Sequence, residues 1–169
     1  MSPADYRKES GVPACAGTTA HLIMFPGKWY DEVRVGERFG TSVTVTETHL
    51  VLGSGMFGDF NPLHVDEEFS RNSIFGGRIL HGPFTSALVS APVGMYFSGT
   101  AIAYLEHACR FKKAVRPGDT LTTEWTVTEK LDKPKHKGGI CVLRGTAHNQ
   151  KGELAVEADG KILVSSRRN

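Results

Sequence analysis

Pro83-Phe84-Thr85-Ser86-Ala87-Leu88-Val89-Ser90-Ala91-Pro92-Val93-Gly94-Met95-Tyr96-Phe97 is a long, mostly apolar run, and its reading decides the architecture. Phe84, Ala87, Leu88, Ala91 and Met95 fall at i, i+3, i+4, i+7 and i+11, one face of a helix. Val89, Val93, Tyr96 and Phe97 make the other sides apolar too. The helix is therefore expected to be buried around most of its circumference. Gly82 as N-cap with Pro83 at N1 suits its start. Pro92 removes one helical hydrogen bond and should kink the last turns.

Downstream of this helix the pattern changes to period two. Strands are expected over 101–113, 120–131, 140–147 and 154–164. The turns between them fall at Arg116-Pro117-Gly118-Asp119, Pro134 to Gly139 and Asn149-Gln150-Lys151-Gly152. In the last strand Leu154, Val156, Ala158, Ile162 and Val164 share a face, with Gly160 as a candidate bulge. Upstream, Thr41 to Thr48 alternates like a half-buried strand, and Thr48 can cap a short helix through Met56. Residues 58–77 are loop-like, dense in Gly, Asp, Asn and Pro. One buried helix with mostly antiparallel strands reads as α+β, a curved sheet wrapped around a helix. Apolar material in excess of one helix-covered face implies edge pairing with a second copy, a homodimer or higher oligomer.

Composition narrows the function classes. The 169 residues suffice for a single domain of ordinary size, and 40% hydrophobic with 22% charged is a globular balance. Twenty Lys and Arg against 18 Asp and Glu leave a net charge of +2, which lacks the basic excess of a nucleic-acid binder. No apolar stretch approaches the roughly 18 residues that span a bilayer, so no membrane association is expected. Cys15, Cys109 and Cys141 show no metal or disulfide spacing and read as reduced thiols of a cytoplasmic protein. Residues 1–24 carry no sustained period and read as a disordered extension, with Met24 as an alternative start and the domain occupying 25–169.

Gly58-Asp59-Phe60-Asn61-Pro62-Leu63-His64-Val65-Asp66 is the segment that carries chemistry. It holds a carboxylate and an imidazole five residues apart on a stretch stiffened by Pro62, while Asn61 can close the turn. Such a pair can grip one water, take a proton from it and return a proton to substrate. The plain alternative for that spacing is an Asx-turn followed by a capping or surface histidine. The second segment is Gly77-Arg78-Ile79-Leu80-His81-Gly82-Pro83-Phe84, which enters the helix. Unpaired N–H groups at a helix start can hold a thioester oxygen as it gains negative charge. Its plain alternative is that Gly-Pro only begins a helix.

Together, Gly58-Asp59-x-Asn61-Pro62-Leu63-His64-x-Asp66 and Ile79-Leu80-His81-Gly82 resemble the hydratase motif of the MaoC-like, R-specific enoyl-CoA hydratases. The resemblance runs from about Trp29 to the C-terminus and includes Arg116-Pro117-Gly118-Asp119-Thr120-Leu121. It implies a hot-dog fold, obligate dimers, and syn hydration of trans-2-enoyl-CoA to (R)-3-hydroxyacyl-CoA or the reverse. It also implies that Asp59 and His64 are the catalytic pair, that Ser90 is an active-site serine, and that the Gly82 N–H binds the thioester carbonyl. No cofactor or metal is expected, the CoA thioester being the substrate.

Around that core, Asn61, Pro62, His81, Phe84 and Arg78 are expected to contact substrate, His81 chiefly by fixing its loop. Lys112, Lys113, Arg116 and Arg78 could meet CoA phosphates, although basic residues at strand ends are usually solvated. A metal site from Asp59, His64 and Asp66 is disfavoured, Asp66 reading as the cap of a short turn. The remaining histidines show no partner pattern. Bulky Phe60, Phe84, Tyr96 and Phe97 suggest a short or branched acyl group. Two rival readings stand beside the hydratase. A hot-dog thioesterase would place its carboxylate on or near the central helix, and it is disfavoured because Pro83 to Ala91 contains no Asp or Glu. A non-catalytic acyl-CoA-binding domain would need none of Asp59, His64 and Ser90.

Overall fold

The computed structural model describes residues 27–167; the extension expected over 1–24, with Cys15 and Met24, lies outside them. A 3-10 turn at Tyr30–Glu32 leads into strand β1 (Arg38–Thr44). Three helices follow, α1 (Glu47–Phe57), α2 (Pro62–Val65) and α3 (Glu67–Arg71), and then the long helix α4 (Gly82–Tyr96). Four strands complete the chain: β2 (Ala101–Phe111), β3 (Thr120–Lys133), β4 (Gly138–His148) and β5 (Leu154–Ser165). All pair antiparallel in one sheet of order β1-β3-β4-β5-β2, with α4 packed across it. The α+β expectation of a sheet around a helix therefore holds. No helix among the described residues is long and apolar enough to cross a membrane.

The turns form where their residues demanded them. Asn149 Oδ1 accepts from the N–H groups of Lys151 and Glu153, closing the β4–β5 hairpin. Gly118 takes the left-handed φ of 92° that the turn before β3 requires. The stretch 58–77, expected as loop, instead holds α2 and α3. Asn61 and Asp66 each cap one of them, accepting from Leu63 N–H and Phe69 N–H. Helix α1 starts two residues earlier than expected, because Thr46 caps it through the His49 ring: Thr46 N–H donates to His49 Nδ1 over 3.0 Å.

Helix α4 differs from expectation in two ways, its cap and the face it buries. Its N-cap is His81 rather than Gly82, and it continues past Pro92 to Tyr96. The residues it buries are Thr85, Val89, Pro92 and Val93, whereas Ala87, Ala91 and Met95 of the anticipated face stay exposed. The buried face packs on Trp125 of β3, whose indole N–H donates to the Val89 carbonyl over 2.8 Å. Glycines on the neighbouring strands make room for that indole. A Cβ on Gly145 would lie 2.7 Å from Trp125 Cδ2. Gly160 is likewise no bulge: it keeps the inward alternation of β5, and the register irregularities of that pair lie on β2. In β3 a register shift after Val127 turns Leu131 outward.

Candidate active site

The site is built where α1 ends. Gly58 adopts the left-handed conformation, φ 67°, which turns the chain out of the helix and into Asp59. Asn61 N–H donates to Asp59 Oδ1 over 3.1 Å, so one carboxylate oxygen is spent locally and Oδ2 is left. Pro62 opens α2, and its single turn carries His64 back toward Asp59. His64 Nδ1–H donates to the Ile79 carbonyl over 2.8 Å, which directs the Nε2 lone pair at Asp59. The separation of His64 Nε2 from Asp59 Oδ2 is 3.6 Å. That is beyond a direct hydrogen bond and short enough for one donor to serve both acceptors. The two side chains differ in exposure: His64 is 11% exposed and Asp59 47%.

The segment before α4 supplies the other wall. Ile79 N–H donates to the Leu63 carbonyl and Leu80 N–H to the Val115 carbonyl, so 79–80 bridges α2 to the end of the sheet. His81 and Gly82 follow. A cavity of about 320 Å³ opens beside His64 and Gly82, walled by Phe75, Ile79, Leu80 and Phe111. Its size lies at the lower end of small-ligand sites. The Gly82 N–H is the first of the helix and has no acceptor among the described residues. Nothing in the protein itself demands glycine there: a Cβ would meet the Phe111 ring at an ordinary 3.5 Å. The missing side chain instead leaves the amide open to the cavity.

Other expected site residues lie elsewhere or are otherwise engaged. Ser90 donates to the Ala87 carbonyl of its own helix over 3.0 Å, and no described hydrogen bond links it to Asp59 or His64. Arg78 binds Glu47 Oε2 at 2.8 Å and Glu67 Oε2 at 2.9 Å. It ties α1 to α3 and holds the Glu67 carboxyl below its ordinary range. Lys112 pairs with Glu157, Lys113 with Glu153, and Arg116 donates to the Phe75 carbonyl. None of these four cations is an unengaged phosphate receptor. Phe84 packs edge-on to His49 and Phe57 beside the site. Tyr96 and Phe97 instead pack on Phe39 of β1, and Phe60 is 65% exposed. His81 is fully buried, so it offers no surface to a substrate.

Sequence reading missed two supports of the site and the partners of two other histidines. The Ile79 carbonyl that orients His64 and the Ser54 hydroxyl beside His81 carried no local signal. His49 proves to be the residue whose ring accepts from Thr46 N–H, the cap of α1. His107, expected without partners, bonds Ser86 Oγ over 2.9 Å and Tyr104 Oη over 3.0 Å, and burial pushes its pKa down. The ligand-capable cluster is Asp59, His64 and His81 rather than one with Asp66, which caps α3. His64 Nδ1 is committed to a carbonyl and His81 is enclosed. What remains for an incoming ion is one nitrogen and one carboxylate, fewer donors than a resident metal needs.

Comparison with known proteins follows the same lines. The family model "MaoC like domain" matches residues 32–149. The (R)-specific enoyl-CoA hydratase of Rhodospirillum rubrum is 28% identical over 139 residues, which cover 82% of this chain and 93% of that protein. The (R)-specific enoyl-CoA hydratase of Aeromonas caviae is 31% identical over 134 residues, 79% of this chain and 92% of that protein. Among solved structures, unliganded R-hydratase PhaJ1 from Pseudomonas aeruginosa shares the fold at a TM-score of 0.73. Its identity to this chain is 31%, covering 82% of this chain and 86% of that one.

Proposed function

Because the chain belongs to the MaoC-like domain family, we propose that it is a hydro-lyase that adds water reversibly to trans-2-enoyl-CoA, giving (R)-3-hydroxyacyl-CoA. The observation that carries this reading is the 3.6 Å approach of His64 Nε2 to Asp59 Oδ2, beside a cavity shared by His64 and the Gly82 N–H. Matches that span more than nine-tenths of two (R)-specific enoyl-CoA hydratases support it.

The chemistry follows from the donors and acceptors. A water that donates one hydrogen to His64 Nε2 and the other to Asp59 Oδ2 presents its lone pair to C3 of the enoyl group. As the C3–O bond forms, the pair takes a proton from the water, and the π electrons move through C2 toward the thioester oxygen. The Gly82 N–H meets the charge that develops there. The enolate then collapses and C2 takes a proton from the pair, from Asp59 in this reading. Oxygen and hydrogen arrive from one side of the substrate, so addition is syn. No cofactor or metal enters any step, and a chelator should leave turnover unchanged.

A short or branched acyl group suits the cavity beside His64, which holds about 320 Å³ and is walled by Phe75 and Phe111. The protein is expected to work as a homodimer in a reducing cytoplasm, where Cys109 and Cys141 remain thiols.

Crotonyl-CoA tests the reading. The wild type should bleach the enoyl-thioester absorbance without releasing thiol. Release of thiol would make it a thioesterase, and neither change would make it a binding domain. Asp59→Asn and His64→Ala should each lower kcat by about 10²-fold or more with the fold intact. Wild-type-like turnover in either variant would overturn the assignment of that residue.

A further inference from the structure

His81 is an odd residue to bury. Its ring is wholly enclosed at the N-cap of α4, and Nδ1 has no hydrogen-bond partner among the described residues. An orphaned ring nitrogen is unfavourable where an apolar ring would incur no such penalty. What the imidazole does contact explains its presence. Nε2 lies 3.0 Å from the Asp59 main-chain oxygen and 3.3 Å from Ser54 Oγ. Ser54 gives its own hydrogen to the Leu50 carbonyl over 3.1 Å, so toward the ring it can only accept. Nε2 therefore carries the proton and donates it to Asp59. The ring face lies against His64, centroids 3.8 Å apart and planes inclined by 29°. On its far edge, a Cβ at Gly53 would stand 2.6 Å from Nδ1, so only glycine lets the ring sit at this depth. The next residue in the chain is Gly82.

We propose that His81 is a positioning residue for the hydration reaction: it holds the Asp59 backbone, the face of His64 and the Gly82 amide as one rigid unit, with Gly53 and Ser54 as its seat. The proposal rests on the hydratase reading for its kinetic consequences but not for its structural ones. A donor without a flat face, or a flat face without a donor, should each satisfy half of the requirement.

Three variants separate these contributions. His81→Phe keeps a ring against His64 and loses the donor, His81→Gln keeps a donor and loses the ring, and Gly53→Ala displaces the ring from outside. With crotonyl-CoA, His81→Phe should lower kcat by about 10²-fold, the scale of a misplaced reacting group, with KM little changed. His81→Gln should recover part of that loss. The pH profile of kcat should move in all three, because each variant changes what surrounds the His64 ring. NMR titration of the His64 ring reads the same displacement without turnover, and its midpoint should shift in His81→Phe and Gly53→Ala. A wild type inactive on enoyl-CoA would sink the hydratase reading while leaving that measurement standing. A His64 midpoint and pH profile unchanged in all three variants would overturn the positioning role, whatever their stability. Should His81→Phe fail to fold, the milder Gly53→Ala and Ser54→Ala carry the same comparison.

Discussion

At the scale of single residues, two glycines beside the site answer to different constraints. Gly53 is required by the protein's own interior, since a side chain there would strike the His81 ring. Gly82 is not, because its Cβ would make only an ordinary contact with Phe111. Gly82→Ala should therefore leave the denaturant midpoint unchanged or slightly raised, alanine being the better helix former. Its turnover of crotonyl-CoA should fall, because the methyl group stands before the helix's first N–H. Equal activity of the variant and the wild type would remove Gly82 from the site. The Asp59–His64 pair was legible from sequence because the stretch 58–66 is organised locally. A left-handed glycine, an Asx contact and a proline-started turn fix it within nine residues. Ser90 was not legible in this way: on a helix the nearest acceptor for a serine is its own backbone, and the Ala87 carbonyl takes it.

At the scale of elements, the apolar run 83–97 specifies a helix without specifying which side meets the sheet. Both of its faces are hydrophobic, and the choice falls to Thr85, Val89, Pro92 and Val93 because they fit against Trp125 and the glycine-lined floor beneath it. That packing can be tested from the floor side. Gly145→Ala drives a methyl into the indole and should destabilise the protein by about 1–3 kcal/mol, the usual consequence of overpacking a filled core. The shift in urea midpoint measures it, and an unshifted midpoint would mean the indole has slack. Arg78 belongs to this scale too. Read from sequence it is a cation near a binding loop, but Glu47 and Glu67, 31 and 11 residues away, convert it into a clamp between α1 and α3.

For the whole molecule, the sheet is open at both ends, at β1 and at β2, and the β2 edge is the principal feature. β2 has a partner on one side only, and Ile102, Leu105 and Phe111 along it are half exposed, as is Met95 of α4. Unpaired strand edges with apolar side chains are templates for association. The protein should sediment at twice the 18.4 kDa chain mass, and the double substitution Ile102→Glu with Leu105→Glu should yield monomers. A wild-type monomer at micromolar concentration would refute the dimer. Alkaline stability is a second property of the assembled core. Burial pushes the Cys141 thiol up from the ordinary 9.0 to about 11. The folded state thus favours the protonated thiol, and the associated stability is fully present below pH 9 and lost as pH rises through about 11. Urea midpoints measured from pH 8 to 11 should fall more steeply for the wild type than for Cys141→Ala.

The long helix, the four strands after it, the turns between them and the local geometry of Asp59 and His64 could be read from residues close along the chain, because each depends on neighbours within a turn or two of one another. Tertiary structure alone decided the face of α4, the tautomer of His64 through a carbonyl 15 residues away, and the pairing of every cation near the site. It also decided the enclosure of His81 between Gly53, Ser54 and the Asp59 backbone. These are contacts between segments distant along the chain. Their outcome depends on which of several chemically acceptable partners the packing brings within reach.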